Sequence, residues 1–327
     1  ARYIFTELAP YARTLFPEDD DSLLEFNTDD GNTIEPVNYI PLIPLVLVNG
    51  ANGIATGYST TVPMYNPLDI IQVMRAKLTN ESETPLKPWF RGFEGIVKSD
   101  SKTYTTIGTY NQLNPDVIKI TELPIGVWTE KYREYLDKLV EKKILKNYVD
   151  HSTESKVNIT LKFVKPPTDL DTVLRLEVKK NITNMHLLNS NQIIKKYNSP
   201  REICDEFFAV RLDLYSKRKA LLQKKLTHQL LVMRNKMRFI KAALTVDRFL
   251  AQSSTFIVDF LETNKFDKVN DDWVYLTDMK VSALNKNNCK ALQEKIKKFD
   301  IELKLIESTS EKTMYLRDLE ELKKKLV

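Results

Sequence analysis

From residue 201 onward, apolar side chains recur at alternating steps of four and three. Ile203, Phe207, Val210 and Leu214 open the series. After the basic run Lys217-Arg218-Lys219 it resumes with Leu226, Leu230, Met233, Met237, Ile240 and Leu244. Leu292, Ile296, Phe299, Leu303 and Ile306 repeat the stripe beyond a segment at 250–284, and Leu316, Leu319, Leu322 and Leu326 continue it less regularly. This spacing is the seam of a coiled coil. Two such arms around an intervening piece predict an antiparallel pair. The helix breakers agree, because all 8 Gly lie before residue 127 and all 14 Pro at or before Pro200. Residues 201–327 therefore read as almost entirely helical. A helix over about 201–244 would reach roughly 65 Å.

The first 200 residues follow a different pattern. Pro41 to Val48 is a short apolar run that flows into a turn-rich loop, Asn49 to Tyr58. Pro67 suits the first turn of a helix running to about Leu78. Short strands are predicted at Gly95–Lys98, Tyr104–Ile107 and Val117–Ile120. Glu130 to Lys146 reads as a helix, and Val157 to Val164 alternates as a half-buried strand. The expected fold class is α+β, a mixed α/β region followed by a long coil.

Charge divides along the same line. The whole chain of 327 residues carries net +5, but the part after Pro200 carries +7 and the part before it −2. Two Cys exclude a disulfide scaffold, and with three His they leave no metal-ligand cluster. No apolar run approaches the roughly 20 residues of a membrane span. The expectation is a soluble, intracellular, multidomain protein. Since it starts at Ala1, we read it as a piece of something longer or processed.

Individual motifs say little one at a time. Arg2 directly before Tyr3 is weak, since the chain has 14 Tyr and most Tyr are packing residues. Gly50, Gly53 and Gly57 in the 49–58 loop would let backbone approach a ligand such as phosphate, and a plain tight turn explains them about as well. No Lys-Ser/Thr follows them, so the loop is no Walker motif. Ile54 in its middle is odd for a turn, in the way an intercalating wedge would be. Lys195-Lys196-Tyr197 and Tyr215-Ser216-Lys217-Arg218-Lys219 read as solvated basic faces that could touch phosphate. His151, His186 and His228 read as structural or surface residues, and Cys204 and Cys289 as small hydrophobes on helices.

Taken in order, these segments resemble type IIA DNA topoisomerases, in particular the eukaryotic and large-DNA-virus branch. The resemblance is carried by Arg2-Tyr3-Ile4-Phe5-Thr6, then Glu35-Pro36, then Tyr39-Ile40-Pro41 through Asn49-Gly50, then Gly53-Ile54-Ala55-Thr56-Gly57. Ile120-Thr121-Glu122-Leu123-Pro124 with Trp128-Thr129, Lys195-Lys196-Tyr197, Tyr215 with Arg218-Lys219, and Tyr275-Leu276-Thr277-Asp278-Met279 follow. Asn52, Ala55 and Tyr58 depart from the eukaryotic pattern, which has an acidic residue, Gly and Trp there.

The resemblance implies a partial winged-helix segment at 1–45, a tower at 46–199, and an antiparallel coiled coil at 200–327 with a small helical exit gate at about 250–284. It makes Tyr3 the nucleophile on a DNA phosphodiester and Arg2 its phosphate-holding neighbour. Ile54, Gly50, Gly53, Gly57, Lys195 and Lys196 become DNA-binding residues, and Tyr275, Leu276 and Met279 a homodimer gate. No metal ligand is assigned within the chain. Mg²⁺ and ATP are expected on TOPRIM and ATPase modules, on the same or a partner polypeptide, so the chain alone is expected to be inactive. The implied partner is double-stranded DNA, with no membrane, in a nucleus or viral DNA factory. Two other readings stay open: a catalytically retired DNA-bending or dimerising scaffold, and an unrelated coiled-coil interaction protein.

Overall fold

The structure is a computed structural model and describes residues 5–100, 102–246, 249 and 252–326. In chain order the elements begin with α1 (Ala12–Leu15), β1 (Phe26–Asp29), β2 (Asn32–Pro36), α2 (Leu45–Asn49), β3 (Ala51–Ala55), β4 (Tyr58–Val62) and α3 (Pro67–Thr79). Next come β5 (Ile96–Ser99), β6 (Thr103–Ile107), β7 (Thr109–Asn114), β8 (Val117–Glu122), α4 (Thr129–Glu141), β9 (Leu145–Asp150) and β10 (Ile159–Phe163). Then follow α5 (Leu170–Leu174), β11 (Glu177–Asn181), β12 (Met185–Leu188), β13 (Ile194–Tyr197) and α6 (Pro200–Thr245). The remainder is α7 (Ser254–Thr263), α8 (Val274–Thr277), α9 (Lys286–Ser308) and α10 (Glu311–Leu326). By contacts the chain forms two units. One comprises the described residues of 1–15, 41–210 and 322–327, the other those of 16–40 and 211–321.

In the first unit α3 begins where the sequence suggests. Asn66 Oδ1 accepts from Leu68 N at 2.9 Å and Pro67 occupies the first turn, where its missing N–H costs nothing. A four-stranded antiparallel sheet, ordered β7-β8-β10-β9, carries α4 on one face. Ile118 and Ile120 from β8, Ile159, Leu161 and Phe163 from β10, and Tyr132, Leu136 and Leu139 from α4 form its core. The alternation read in 157–164 is the inward row of β10. A three-stranded sheet, β11-β6-β5, and the hairpins β3-β4 and β12-β13 complete the strands of this unit.

Two expectations here need correction. The helix predicted to Lys146 stops at Glu141. Lys143 takes a left-handed φ of 56°. Lys143 N and Ile144 N then close back onto Val140 O and Leu139 O, a Schellman ending that sends Leu145 into β9 as a buried residue. The segment 49–58 is not an open loop either. The apolar run ends in α2, and Ala51 to Val62 is an antiparallel hairpin turning at Thr56-Gly57, with Gly57 at φ 81°.

The second unit holds most of the coil. α6 spans 46 residues, about 70 Å at 1.5 Å per residue. Tyr215 OH bonds Asp318 Oδ2 at 2.5 Å, Lys219 pairs with Glu311 at 3.3 Å, and Arg234 with Asp300 at 2.6 Å. As the first number rises the second falls, so the arms run antiparallel. The second arm is broken: Thr309 is extended, and Ser310 Oγ caps a new helix by accepting from Thr313 N at 3.1 Å. That break is why the stripe loses regularity after Ile306. Between the arms α7 and α8 enclose a small core of Phe239, Phe249, Leu261, Phe266 and Leu276.

The basic run at 217–219 is only partly a solvated face. Arg218 is buried, its Nε and Nη2 held by Asp20 at 2.6 and 2.7 Å and its Nη1 by Asp318 at 2.7 Å. Arg211, 0% exposed, donates to Asp20 at 2.7 Å and to Ile40 O at 3.0 Å. Its Nε and Nη2 meet no acceptor among the described residues, but the guanidinium lies 4.6 Å over the Tyr215 ring. Tyr215 itself is stacked on Tyr315 at 4.9 Å. Burial works to lower the Arg218 pKa, but Asp20, Tyr215 and Asp318 more than offset it and hold the group charged. The local pattern fails here because the counter-charge on Asp20 comes from a distant part of the chain.

Candidate nucleic-acid interface

In the β3–β4 hairpin Ile54 pairs with Ser59 and Gly53 with Thr60. Ile54 is 92% exposed, a large apolar side chain that no described residue covers. The three glycines around it divide by cause. Gly50 ends α2 at φ 67°, and a Cβ there would meet Val62 O at 2.9 Å, so the fold itself requires it. Gly57 is required by the turn. A Cβ on Gly53 would meet nothing within 4 Å. The fold places no demand on that position, and the bare backbone beside Ile54 is left open to whatever approaches.

The hairpin leans on β12. Thr61 N donates to Asn184 O at 2.7 Å and His186 N to Thr60 Oγ1 at 3.2 Å. The sequence presents His186 as merely structural or surface, and no single-sequence signal marks it as a neighbour of the hairpin.

On β13 the two candidate lysines differ. Lys195 donates to Glu206 Oε2 at 2.6 Å and lies 4.9 Å over the Tyr197 ring. Glu206 also accepts from Tyr197 OH at 3.0 Å. The Lys195 hydrogen bond holds the Glu206 carboxyl below its ordinary range, while burial and Glu206 push the Tyr197 phenol up to about 12. Lys195 is thus largely committed within the chain. Lys196 is exposed and makes no ion pair among the described residues, which leaves its ammonium available to a phosphate.

The gate residues are brought together, facing inward. Leu276 is 0% exposed in the core of the segment between the coil arms, with Tyr275 and Met279 packed around it. Tyr275 OH donates to Asp267 O at 2.7 Å. The outward apolar residues of this segment are others, among them Phe256, Val258, Val274 and Val281. Tyr3 and Arg2 lie outside the described residues. Among the described residues no group of three His, Cys, Asp or Glu side chains could hold a metal ion. Nor, among them, is any helix long and apolar enough to cross a membrane.

Comparison with known proteins agrees with this geometry. The chain is 40% identical over 267 residues to a DNA topoisomerase 2 of Arabidopsis thaliana, a match covering 75% of this chain and 18% of that protein. It is 33% identical over 344 residues to a mitochondrial DNA topoisomerase 2 of Dictyostelium discoideum, covering 100% of this chain and 27% of the relative. The chain therefore spans about a quarter or less of these relatives. Among solved structures, the DNA-binding, cleavage and re-ligation domain of Plasmodium falciparum topoisomerase II superposes with a TM-score of 0.84 at 32% identity, over 99% of this chain and 49% of that one. The model of the DNA gyrase/topoisomerase IV A-subunit family matches residues 1–322. The motif series, the hairpin with its exposed isoleucine and the antiparallel coil thus have one common explanation: this chain belongs to the DNA gyrase/topoisomerase IV A-subunit family.

Proposed function

We propose that this chain is part of the DNA cleavage and re-ligation core of a type II DNA topoisomerase, an ATP-dependent isomerase that cuts one duplex, passes a second through it and reseals the first. The observation that carries the reading is the exposed Ile54 on a hairpin, in a chain of which 99% matches about half of the solved cleavage domain.

In this reading the Tyr3 phenolic oxygen attacks a backbone phosphorus. The new Tyr–O–P bond forms as the P–O3′ bond breaks, and the 3′ oxygen leaves and takes up a proton. One phosphodiester replaces another, so the 3′ hydroxyl can reverse the step without an energy source. A free phenol has a pKa of about 10, so the attack needs a base and nearby positive charge. Arg2, with its fixed fork of donors, suits the scissile phosphate. Ile54 enters a base step and helps kink the duplex, at a cost of a few kcal/mol offset by contacts the bend permits. Gly53 lets backbone lie close to the groove, and Lys196 more than Lys195 meets phosphate.

The reading assigns no metal ligand to the described residues. Mg²⁺ and ATP belong to modules outside this chain, on the same or a partner polypeptide. The reading includes a homodimer with a second contact at 250–284, where Val274 and Val281 offer the outward surface and Tyr275, Leu276 and Met279 support it from inside. We assign the enzyme to the cell interior, chiefly the nucleus. The similar proteins come from a plant, an amoeba and an apicomplexan, and lend no support to a viral source.

The test compares the full-length enzyme with Tyr3→Phe on supercoiled plasmid with Mg²⁺, stopped by detergent and protease. Protein-linked double-strand breaks are expected from the wild type and absent from the mutant. Breaks that persist in Tyr3→Phe would move the nucleophile elsewhere. No breaks from either protein, with plasmid binding intact, would favour a retired scaffold.

A further inference from the structure

Ser59 stands directly across the ladder from Ile54 and is, with Thr60 and Thr61, one of the points at which the hairpin is held from outside. Asn184 Nδ2 donates to Ser59 Oγ at 2.7 Å, and His186 Nδ1 lies 3.0 Å from the Ser59 carbonyl oxygen. A carbonyl oxygen can only accept, so His186 carries a proton on Nδ1 and donates it. The same ring stands edge-on to Tyr58, with centroids 5.8 Å apart. One imidazole therefore touches both the residue opposite Ile54 and the next residue toward the turn.

An isolated two-stranded hairpin is marginal in water, so its direction depends on what it leans on. This one has exposed residues along β3 and through the turn, and its polar anchors come from β12 and from Asn184 just before it. We infer that His186 is a positioning residue, which together with Asn184 braces the β3–β4 hairpin so that Ile54 meets a DNA base step at a fixed angle. The inference rests on the reading of Ile54 as a wedge. Opening a base step loads the wedge with a few kcal/mol. An unbraced hairpin would yield to that load and leave the duplex straight. Across the β12–β13 ladder His186 pairs with Lys196, so brace and uncommitted cation lie on one face.

The experiment measures bending of a short duplex, labelled at its ends with a donor and an acceptor dye, by the full-length enzyme. Thermal melting is followed alongside. His186→Ala is expected to lower the ratio of bent to straight duplex about five-fold, the value of one neutral hydrogen bond, with the melting temperature unchanged. His186→Asn puts an amide donor near the lost Nδ1–H and is expected to restore most of the bending. His186→Phe keeps a ring against Tyr58 but no donor, and is expected to behave like His186→Ala. Ile54→Ala is the control, expected to lose bending by itself and to lose no more when combined with His186→Ala. Full bending by Ile54→Ala would remove the wedge reading and the brace with it. Loss in Ile54→Ala with bending retained in both His186→Ala and Asn184→Ala would overturn the brace and leave the wedge standing.

Discussion

In the β3–β4 hairpin an isoleucine stands in water, whereas at the start of the coil two arginines and an aspartate stand in the interior. Charge is rarely buried unless it is paired, and here the partners lie within the chain, whereas Ile54 is 92% exposed. Asp20 takes three hydrogen bonds from Arg211 and Arg218, Asp318 takes a fourth from Arg218, and Tyr215 adds a ring face and a hydroxyl. Ile54 receives nothing comparable. A misplaced residue with its partners inside the chain is architecture. One without partners is free to meet something outside the chain, and in the function proposed here that something is DNA.

The comparison predicts opposite responses to substitution. Arg218→Ala should have the largest effect, about 3 kcal/mol lost, because it removes two of the three hydrogen bonds to buried Asp20, leaves its Oδ1 without a donor among the described residues, and takes away the Asp318 contact. Urea unfolding would read it, and a loss under about 1 kcal/mol would mean the cluster is not closed to water. Tyr215→Phe removes only the hydroxyl bonded to Asp318 and should cost about 1.5 kcal/mol. A cost equal to that of Arg218→Ala would make ring stacking, not charge, the main contribution.

Smaller still is the effect at Glu206. Its folded pKa is depressed, the Lys195 hydrogen bond being the first cause, so its stabilising contribution is present above its ordinary value of 4.5 and is lost as pH falls through the folded value. Glu206→Gln should therefore flatten the acid side of the stability profile, measured by melting at stepwise lower pH. An unchanged acid limb would show that Lys195 is not committed to Glu206, which would return it to the DNA-facing set. Ile54→Ala should change stability least, within about 0.5 kcal/mol, while removing DNA bending. A marked fall in melting temperature would mean that Ile54 is covered within the enzyme, and the contrast between the two regions would collapse.

The long helices are legible in the sequence because a three-and-four stripe without Gly or Pro has few other ways to fold. α3 is legible from Pro67 and the apolar pattern behind it. The hairpin at 51–62 is not, because glycines at 50, 53 and 57 look like a loop when two of them serve a helix end and a turn. Arg218 cannot be read as buried, since its partner Asp20 is 198 positions away and no local period carries that information. The end of α4 turns on Lys143 adopting a left-handed conformation, which side-chain type does not announce. For the candidate site, Ile54 is visible as an anomaly, but its brace is not. His186 becomes informative only once β12 is laid beside β4.

The central claim is that Tyr3 forms the covalent bond to DNA, and the most direct measurement identifies the modified residue. Full-length enzyme is trapped on DNA with detergent and digested with nuclease and trypsin, and the peptides are fragmented in a mass spectrometer. Cleavage after Arg2 and Arg13 gives a peptide containing both Tyr3 and Tyr11. The account predicts a nucleotide phosphate on Tyr3 and none on Tyr11. A nucleotide on Tyr11, or on any other peptide, would contradict it.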